Sequence, residues 1–132
     1  MSQLFVIVTI AERKRLVRIE DIREIVPLMA LSEVEGRKGN CRGIANLRGE
    51  MIPVFDLAGP DARLSPSRVI LVTRAGKESV GLLVDDAHDV VTVPRDHVAL
   101  RPVGAGASAT MVRVGDEILS VLEPADVLQS EP

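Results

Sequence analysis

Short runs rich in valine and isoleucine, separated by turn-forming residues, recur along the whole chain and limit what it can fold into. Each run has the length and composition of a strand, and pairs such as Arg48-Gly49 and Gly115-Asp116 lie between runs. This pattern is typical of a barrel or a sandwich. Pro124 and Asp126 begin a predicted short terminal helix. The predicted strands are 4–10, 15–19, 22–27, 42–47, 51–56, 68–74, 79–84, 87–92, 111–114 and 117–122.

An internal similarity suggests two related halves. Residues 19–26 and 84–91 share a pattern of apolar and acidic residues, and 52–56 loosely parallels 119–123. Two similar units of four or five strands predict two small β-barrels that pack together along an apolar seam. Chance similarity in a sequence rich in valine and acidic residues is the alternative.

Composition excludes several classes of partner. The chain has 132 residues, a net charge of −3 and 2% aromatic residues, with no Trp or Tyr. Nucleic-acid binding needs a basic patch, and single strands are commonly bound by aromatic stacking, so no nucleic-acid partner is expected. The basic triplet at 13–15 is predicted to be a solvated hairpin tip.

No catalytic, cofactor-binding or metal-binding residues are predicted. His88 and His97 lack the spacing of metal ligands, and Cys41 is the only cysteine. The glycine-rich stretch at 104–109 lacks the lysine of a phosphate-binding loop, so we expect a flexible connector. The apolar stretch near the N-terminus precedes the basic cluster, the reverse of a secretory signal, and no run is long enough to span a membrane. A cytoplasmic protein is expected, with no direct membrane insertion.

The most specific stretch is 41–57, where two apolar runs meet at a polar corner centred on Arg48 and Gly49. Glycine accepts the positive φ of a tight hairpin turn at little steric cost. The turn would display Arg48, whose guanidinium suits a carboxylate partner. That carboxylate belongs either to the same chain or to another protein, and the sequence leaves both alternatives open.

Three stretches of the chain resemble the CheW-like coupling domain family: Ile22-Arg-Glu-Ile25, the run RGIANLRGEMIPVFDL at 42–57, and VGLLVDDAHDV at 80–90 followed by Val93-Pro94. The family includes chemotaxis adaptors and the regulatory domain of CheA-type histidine kinases. The resemblance implies an all-β fold of two packed five-stranded SH3-like β-barrels without catalytic activity. It implies a single domain over 1–132, with one lobe at about 17–83 and the other built from the N-terminal strand plus 84–132.

The resemblance also implies a function and a binding site. A family adaptor couples the cytoplasmic tips of chemoreceptors, which are methyl-accepting chemotaxis proteins, to the regulatory domain of a CheA-type histidine kinase. Its place is at receptor arrays on the inner face of the membrane. Arg48 and Glu24 are the candidates for a cross-strand ion pair that shapes the receptor-binding face. Ile22, Gly43 and Asn46 would border the same region.

Departures from the family pattern leave other functions open. The segments 58–67 and 101–111 are short, and 13–18 is unusually basic. A CheW-like protein-binding module of an accessory pathway, such as surface motility or pili, is therefore the alternative. Two further classes are a module that binds another protein by strand addition at a sheet edge and a small-molecule-binding or enzymatic barrel.

Overall fold

The fold consists almost entirely of β-strands. The computed structural model describes residues 1–33, 39–59 and 61–129. Short 3₁₀ turns lie at Ile19–Asp21 and Arg95–His97. The described strands and the helix are β1 Ser2–Ile10, β2 Arg13–Arg18, β3 Ile22–Pro27, β4 Leu31–Ser32, β5 Cys41–Leu47, β6 Glu50–Asp56, β7 Val69–Ala75, β8 Glu78–Val84, β9 Asp86–Pro94, β10 Val98–Gly104, β11 Ala107–Val114, β12 Glu117–Ser120 and α1 Pro124–Gln129.

Strands β3 to β8 form one six-stranded sheet in the order β3-β7-β8-β6-β5-β4. The β6–β8 pair is parallel and the other pairs are antiparallel. Although β3 lies at one edge, its Arg23 and Glu24 side chains contact residues of the β5–β6 turn. The sheet is therefore curled, and this curl brings together the residues of the candidate site.

The remaining strands form two three-stranded sheets, β2-β1-β9 and β10-β11-β12, which meet at β2 and β12. Leu16 and Val121 form a parallel bridge, and the Leu122 amide donates to the Leu16 carbonyl oxygen over 2.8 Å. Polar side chains of β2 also reach across, with Lys14 bound to Glu117 and Arg18 to Glu123. These contacts join the two sheets into one assembly.

The predicted position of the basic triplet is wrong. Residues 13–15 belong to β2, and the turn before them is Ala11-Glu12, whose φ angles are 49° and 69°. The Arg15 Nε atom donates to Ser120 Oγ over 2.8 Å, across the same β2–β12 contact. Two of the three basic residues, Lys14 and Arg15, therefore bind side chains that lie more than 100 residues away in the sequence.

Strand β1 lines two hydrophobic cores at once. Val6 and Val8 belong to a core that includes Leu82, whereas Phe5 belongs to a core that includes Val112. Alternate side chains of a strand point to opposite faces, so a strand between two cores is buried on both. The all-β fold class with its short C-terminal helix is confirmed, and the apolar seam between two barrels stays a prediction. Because β1 serves both cores, the predicted lobe boundaries stay a prediction.

Two strands were missed, and one predicted connector is wrong. The stretch at 104–109 is not a flexible link, because Gly104 ends β10, Gly106 precedes β11, and the two strands pair as a hairpin. Strand β10 was missed because it contains Pro102, and proline within a run argues against a central strand. Proline is tolerated in an edge strand, and β10 lies at the edge of its sheet. Strand β4 has two residues and is too short for a periodic pattern.

Candidate protein-binding site

The corner between β5 and β6 is a two-residue turn. Leu47 pairs with Glu50, and between them Arg48 and Gly49 have φ angles of 52° and 92°. Positive φ at both central residues is the geometry of a type I′ hairpin turn. The Asn46 Oδ1 atom accepts a hydrogen bond from the Gly49 amide over 2.8 Å, which fixes the turn. Arg48 thus holds a backbone conformation that non-glycine residues seldom adopt.

A β-bulge in β3 supplies the partners of this turn. Ile22 pairs with Thr73 and Glu24 pairs with Val72, so Arg23 is an extra residue in the ladder. Neighbouring side chains of a regular strand point to opposite faces, but a bulge changes where they point. Both Arg23 and Glu24 consequently reach the β5–β6 turn.

Two ion pairs connect the bulge to the turn. Arg23 Nη1 lies 3.0 Å from both carboxylate oxygens of Glu50 and 2.5 Å from Ser79 Oγ. Arg48 Nη2 donates to Glu24 Oε2 over 2.5 Å. The predicted ion pair between Arg48 and Glu24 is therefore present. A second pair of opposite charges lies beside it.

Arg48 combines an internal partner with high exposure. Its hydrogen bond to Glu24 and the nearby charge of Glu24 raise the pKa of Arg48 above its usual value. Even so, 67% of the Arg48 side chain is exposed. A guanidinium carries five N–H donors, which leaves donors that face solvent. The ion pair with Glu24 therefore leaves N–H donors of Arg48 available to a partner protein.

Exposed apolar side chains lie close to these charges in the sequence. Ile25 follows Glu24 in β3 and is 45% exposed, and Met51 follows Glu50 in β6 and is 57% exposed. Apolar groups beside an arginine are typical of protein interfaces. The corner has the composition of a contact surface.

The structure brings three of the five predicted site residues together. Glu24, Asn46 and Arg48 meet at the corner through the contacts above. Gly43 is buried with φ 142°, and a Cβ there would lie 2.6 Å from the Ser32 carbonyl oxygen, so it is needed for close approach of β4 to β5. Ile22 begins β3 and packs against the core that contains Leu82. Packing within the chain thus explains why these residue types occupy positions 43 and 22. A role of Gly43 or Ile22 in protein binding stays a prediction.

Sequence reasoning gave no role to Arg23 or Glu50, which form the second ion pair. The sequence contained a signal for this second pair. One segment carries Arg23 and Glu24 and the other carries Arg48 and Glu50, so each segment has one charge of either sign. The bulge that makes both pairs possible has no local signature, since it depends on the register between β3 and β7.

A buried ionic cluster at the far end of β6 was also missed. Asp56 is fully buried and binds Arg68 through two hydrogen bonds of 2.7 and 2.9 Å. Arg42 Nη1 donates to Asp56 Oδ2 over 2.8 Å, and the Ala58 amide donates to Oδ1 over 3.0 Å. Arg68 Nε forms an ion pair with Asp85 at 3.1 Å whose geometry falls short of a hydrogen bond. The hydrogen bonds to Asp56 raise the pKa of Arg68.

This cluster also binds two backbone carbonyl groups after β6, those of Ala62 and Arg63. Arg42 Nη1 also donates to the Ala62 carbonyl oxygen over 2.8 Å, and Arg68 Nη1 to that of Arg63 over 3.2 Å. Buried charges with several hydrogen-bond partners hold the backbone around them in one arrangement. The Asp56 cluster is therefore structural.

The described part of the chain contains neither a metal-binding cluster nor a membrane-spanning helix. Within residues 1–33, 39–59 and 61–129, no group of three or more His, Cys, Asp or Glu side chains is placed to hold a metal ion. The helices in the same ranges are all too short or too polar to cross a bilayer.

Comparison with known proteins identifies the family. The sequence model of the CheW-like domain matches residues 4–132. The chain belongs to the CheW-like domain family. The similarity noted in three stretches of the sequence thus extends over nearly the whole of this CheW-like chain.

Individual relatives agree with this assignment. Chemotaxis protein CheW of Klebsiella aerogenes is 24% identical over 140 residues, which cover 99% of this chain and 84% of that protein. Chemotaxis protein CheW of Bacillus subtilis is 24% identical over 124 residues, covering 87% and 80%. The probable chemotaxis protein CheW of Rhizobium etli is 31% identical over 101 residues, covering 70% and 63%.

A solved structure shares the fold. The crystal structure of the scaffolding protein TtCheW from Thermoanaerobacter tengcongensis matches with a TM-score of 0.82 at 22% identity, covering 96% of this chain and 88% of that one. The arrangement of sheets described above is therefore that of a known CheW-like structure.

Proposed function

We propose that this CheW-like chain is a non-catalytic adaptor of a chemotaxis-type pathway. It couples the cytoplasmic tips of chemoreceptors to the regulatory domain of a CheA-type histidine kinase, on the inner face of the membrane. The observation that carries the proposal is the family match over residues 4–132. The relatives described above are named as chemotaxis proteins, and the solved structure described above is of a scaffolding protein.

The corner at Arg48 is the proposed contact surface. A type I′ turn and two ion pairs hold its backbone and side chains before any partner arrives. Preorganisation lowers the entropic cost of binding, because fewer side chains must be ordered on association. The exposed part of Arg48 offers charge-assisted hydrogen bonds, and Met51 beside it offers apolar area.

An accessory pathway for surface motility or pili is the less favoured function. The relatives that support the family assignment are named for chemotaxis. Loss of part of a partner surface at 58–67 and 101–111 stays a prediction. In the first segment the Asp56 cluster binds the Ala62 and Arg63 carbonyl oxygens, and the second segment belongs to the β10–β11 hairpin.

Co-sedimentation with receptor-containing membranes and with the kinase of the same organism tests the proposal. We expect the wild-type chain to bind both and to raise receptor-controlled autophosphorylation of the kinase. Arg48→Ala should weaken the association about tenfold or more, because a charge-assisted contact is lost. Its thermal midpoint should change little, since exposed ion pairs contribute little stability.

Arg113→Ala is the matched control, because Arg113 is an exposed arginine in β11. Its association should equal that of the wild type. If folded Arg48→Ala binds as the wild type does, Arg48 is not a contact. If the wild type neither binds receptor or kinase nor changes autophosphorylation, the adaptor function itself is wrong.

A further inference from the structure

A groove of about 670 Å³ lies where three parts of the molecule meet, and Arg48 does not line it. The turn between β1 and β2 contributes to it, as do Leu57 and Ala58, which follow β6. Met111 in β11 and Ile118 and Leu119 in β12 add further apolar lining. Because its walls come from two separate sheets and from the segment after β6, this inter-sheet groove exists only when the whole chain is folded.

Two of the apolar residues that β11 and β12 contribute to this groove, Met111 and Ile118, lie outside the buried core, whereas the third, Leu119, belongs to it. Val112 and Leu119 point into the core that contains Phe5. Their neighbours Met111 and Ile118 lie on the opposite face of the sheet, and Ile118 is 60% exposed. Ile118 lines the groove together with the half-buried Met111 and Leu57, and a group of partly exposed apolar side chains in a concave site is typical of an interaction surface.

The charged residues that line the inter-sheet groove are all basic, although the whole chain carries a charge of −3. Lys14 is paired with Glu117 at 3.0 Å. Arg15 donates to Ser120, and among the described contacts it has no carboxylate partner. Burial lowers the pKa of Arg15, which reflects a guanidinium removed from water without a compensating charge. Arg13 is exposed beside it.

We propose that the inter-sheet groove is a second protein-docking surface, which binds an acidic amphipathic helix of a partner protein. One apolar face of such a helix would pack against Leu57, Met111 and Ile118, as helices do in apolar grooves. Carboxylates flanking that face would pair with Arg13 and Arg15. The concave shape favours a helix over a flat lipid bilayer, which would touch only the rim.

Titration of ¹⁵N-labelled full-length chain with a synthetic peptide tests this surface. The peptide is a helix of about 18 residues with leucine at i, i+3, i+4 and i+7 and glutamate on either side. The matched peptide has lysine at every glutamate position. We expect the acidic peptide to bind at least about tenfold more tightly than the basic one and more weakly at high salt. Amide shifts should centre on Ala11, Ala58 and Ile118.

Four variants make the test specific to this groove. Arg13→Glu should lower the affinity for the acidic peptide about tenfold, and Ile118→Ser should lower it several-fold. Lys77→Glu, a charge reversal at an exposed lysine of the β7–β8 turn, should leave it unchanged. Arg48→Ala should also leave it unchanged, since the groove does not include the corner. The adaptor function and this proposal can therefore fail separately.

Several outcomes would overturn the proposal. Equal binding of the acidic and basic peptides would show that the basic residues of the groove do not select the partner. Amide shifts that centre elsewhere would show that the peptide binds to another surface. Vesicles of phosphatidylcholine with phosphatidylserine provide the lipid arm. If the chain sediments with them in an Arg13-dependent way and ignores the acidic peptide, the surface is a membrane contact.

Discussion

Asp56→Asn is expected to lower the free energy of unfolding by about 3–5 kcal/mol, the cost of breaking a buried ion pair. Asp56 is fully buried and accepts hydrogen bonds from Arg42, Arg68 and the Ala58 amide. An asparagine keeps the size but removes the charge, and it turns an amide N–H₂ group toward a guanidinium. Urea unfolding at neutral pH, followed by circular dichroism, measures the loss.

Glu117→Gln is the control, because Glu117 forms the exposed ion pair with Lys14. Its expected loss is at most about 1 kcal/mol. Arg68→Met added to Asp56→Asn should recover part of the stability, since it removes a buried charge whose remaining acidic partner is the partly exposed Asp85. A loss below about 1 kcal/mol in Asp56→Asn would show that the cluster does not stabilise this fold.

Phe5→Ala is expected to cost about 3–5 kcal/mol and to leave unfolding a single transition. Phe5 is fully buried in the core that contains Val112, while its neighbours Val6 and Val8 line the core that contains Leu82. A cavity beside β1 therefore weakens the strand that both cores share. Methyl resonances of Leu82 and Val112, followed through a urea titration, report each core separately.

Leu4→Ala provides the matched control in the same strand, since Leu4 is 44% exposed. Surface substitutions of this kind change stability by about 0.5 kcal/mol or less. If Leu82 and Val112 lose their native signals at different urea concentrations, the two cores unfold independently. That result would contradict the inference that the two cores unfold together because they share β1.

Local chemistry explains which features were predictable. The runs of valine and isoleucine and the Arg48-Gly49 turn are visible because strand periodicity and turn preferences act over a few residues. The Arg48–Glu24 pair was predicted through the family resemblance, and the contact is present. The terminal helix was marked by Pro124 at its first position.

Features that depend on strand register were not predictable. The bulge at Arg23 arises from how β3 pairs with β7, and only that bulge allows Arg23 to reach Glu50. The basic residues of β2 find partners in and after β12, about 105 residues away. In the sequence, Asp56 is simply the polar residue within an apolar run. Its ion pair with Arg68 was not predictable, because the two side chains meet only once the sheet has formed.

The charge-swapped chain, Glu24→Arg with Arg48→Glu, tests the central claim that the corner is a contact surface. The swap keeps an ion pair between β3 and the turn but reverses the charge that faces a partner. We expect a thermal midpoint close to that of the wild type and a loss of co-sedimentation with receptor and kinase as large as in Arg48→Ala. Co-sedimentation equal to that of the wild type would contradict the account, because the ion pair would then be structural alone.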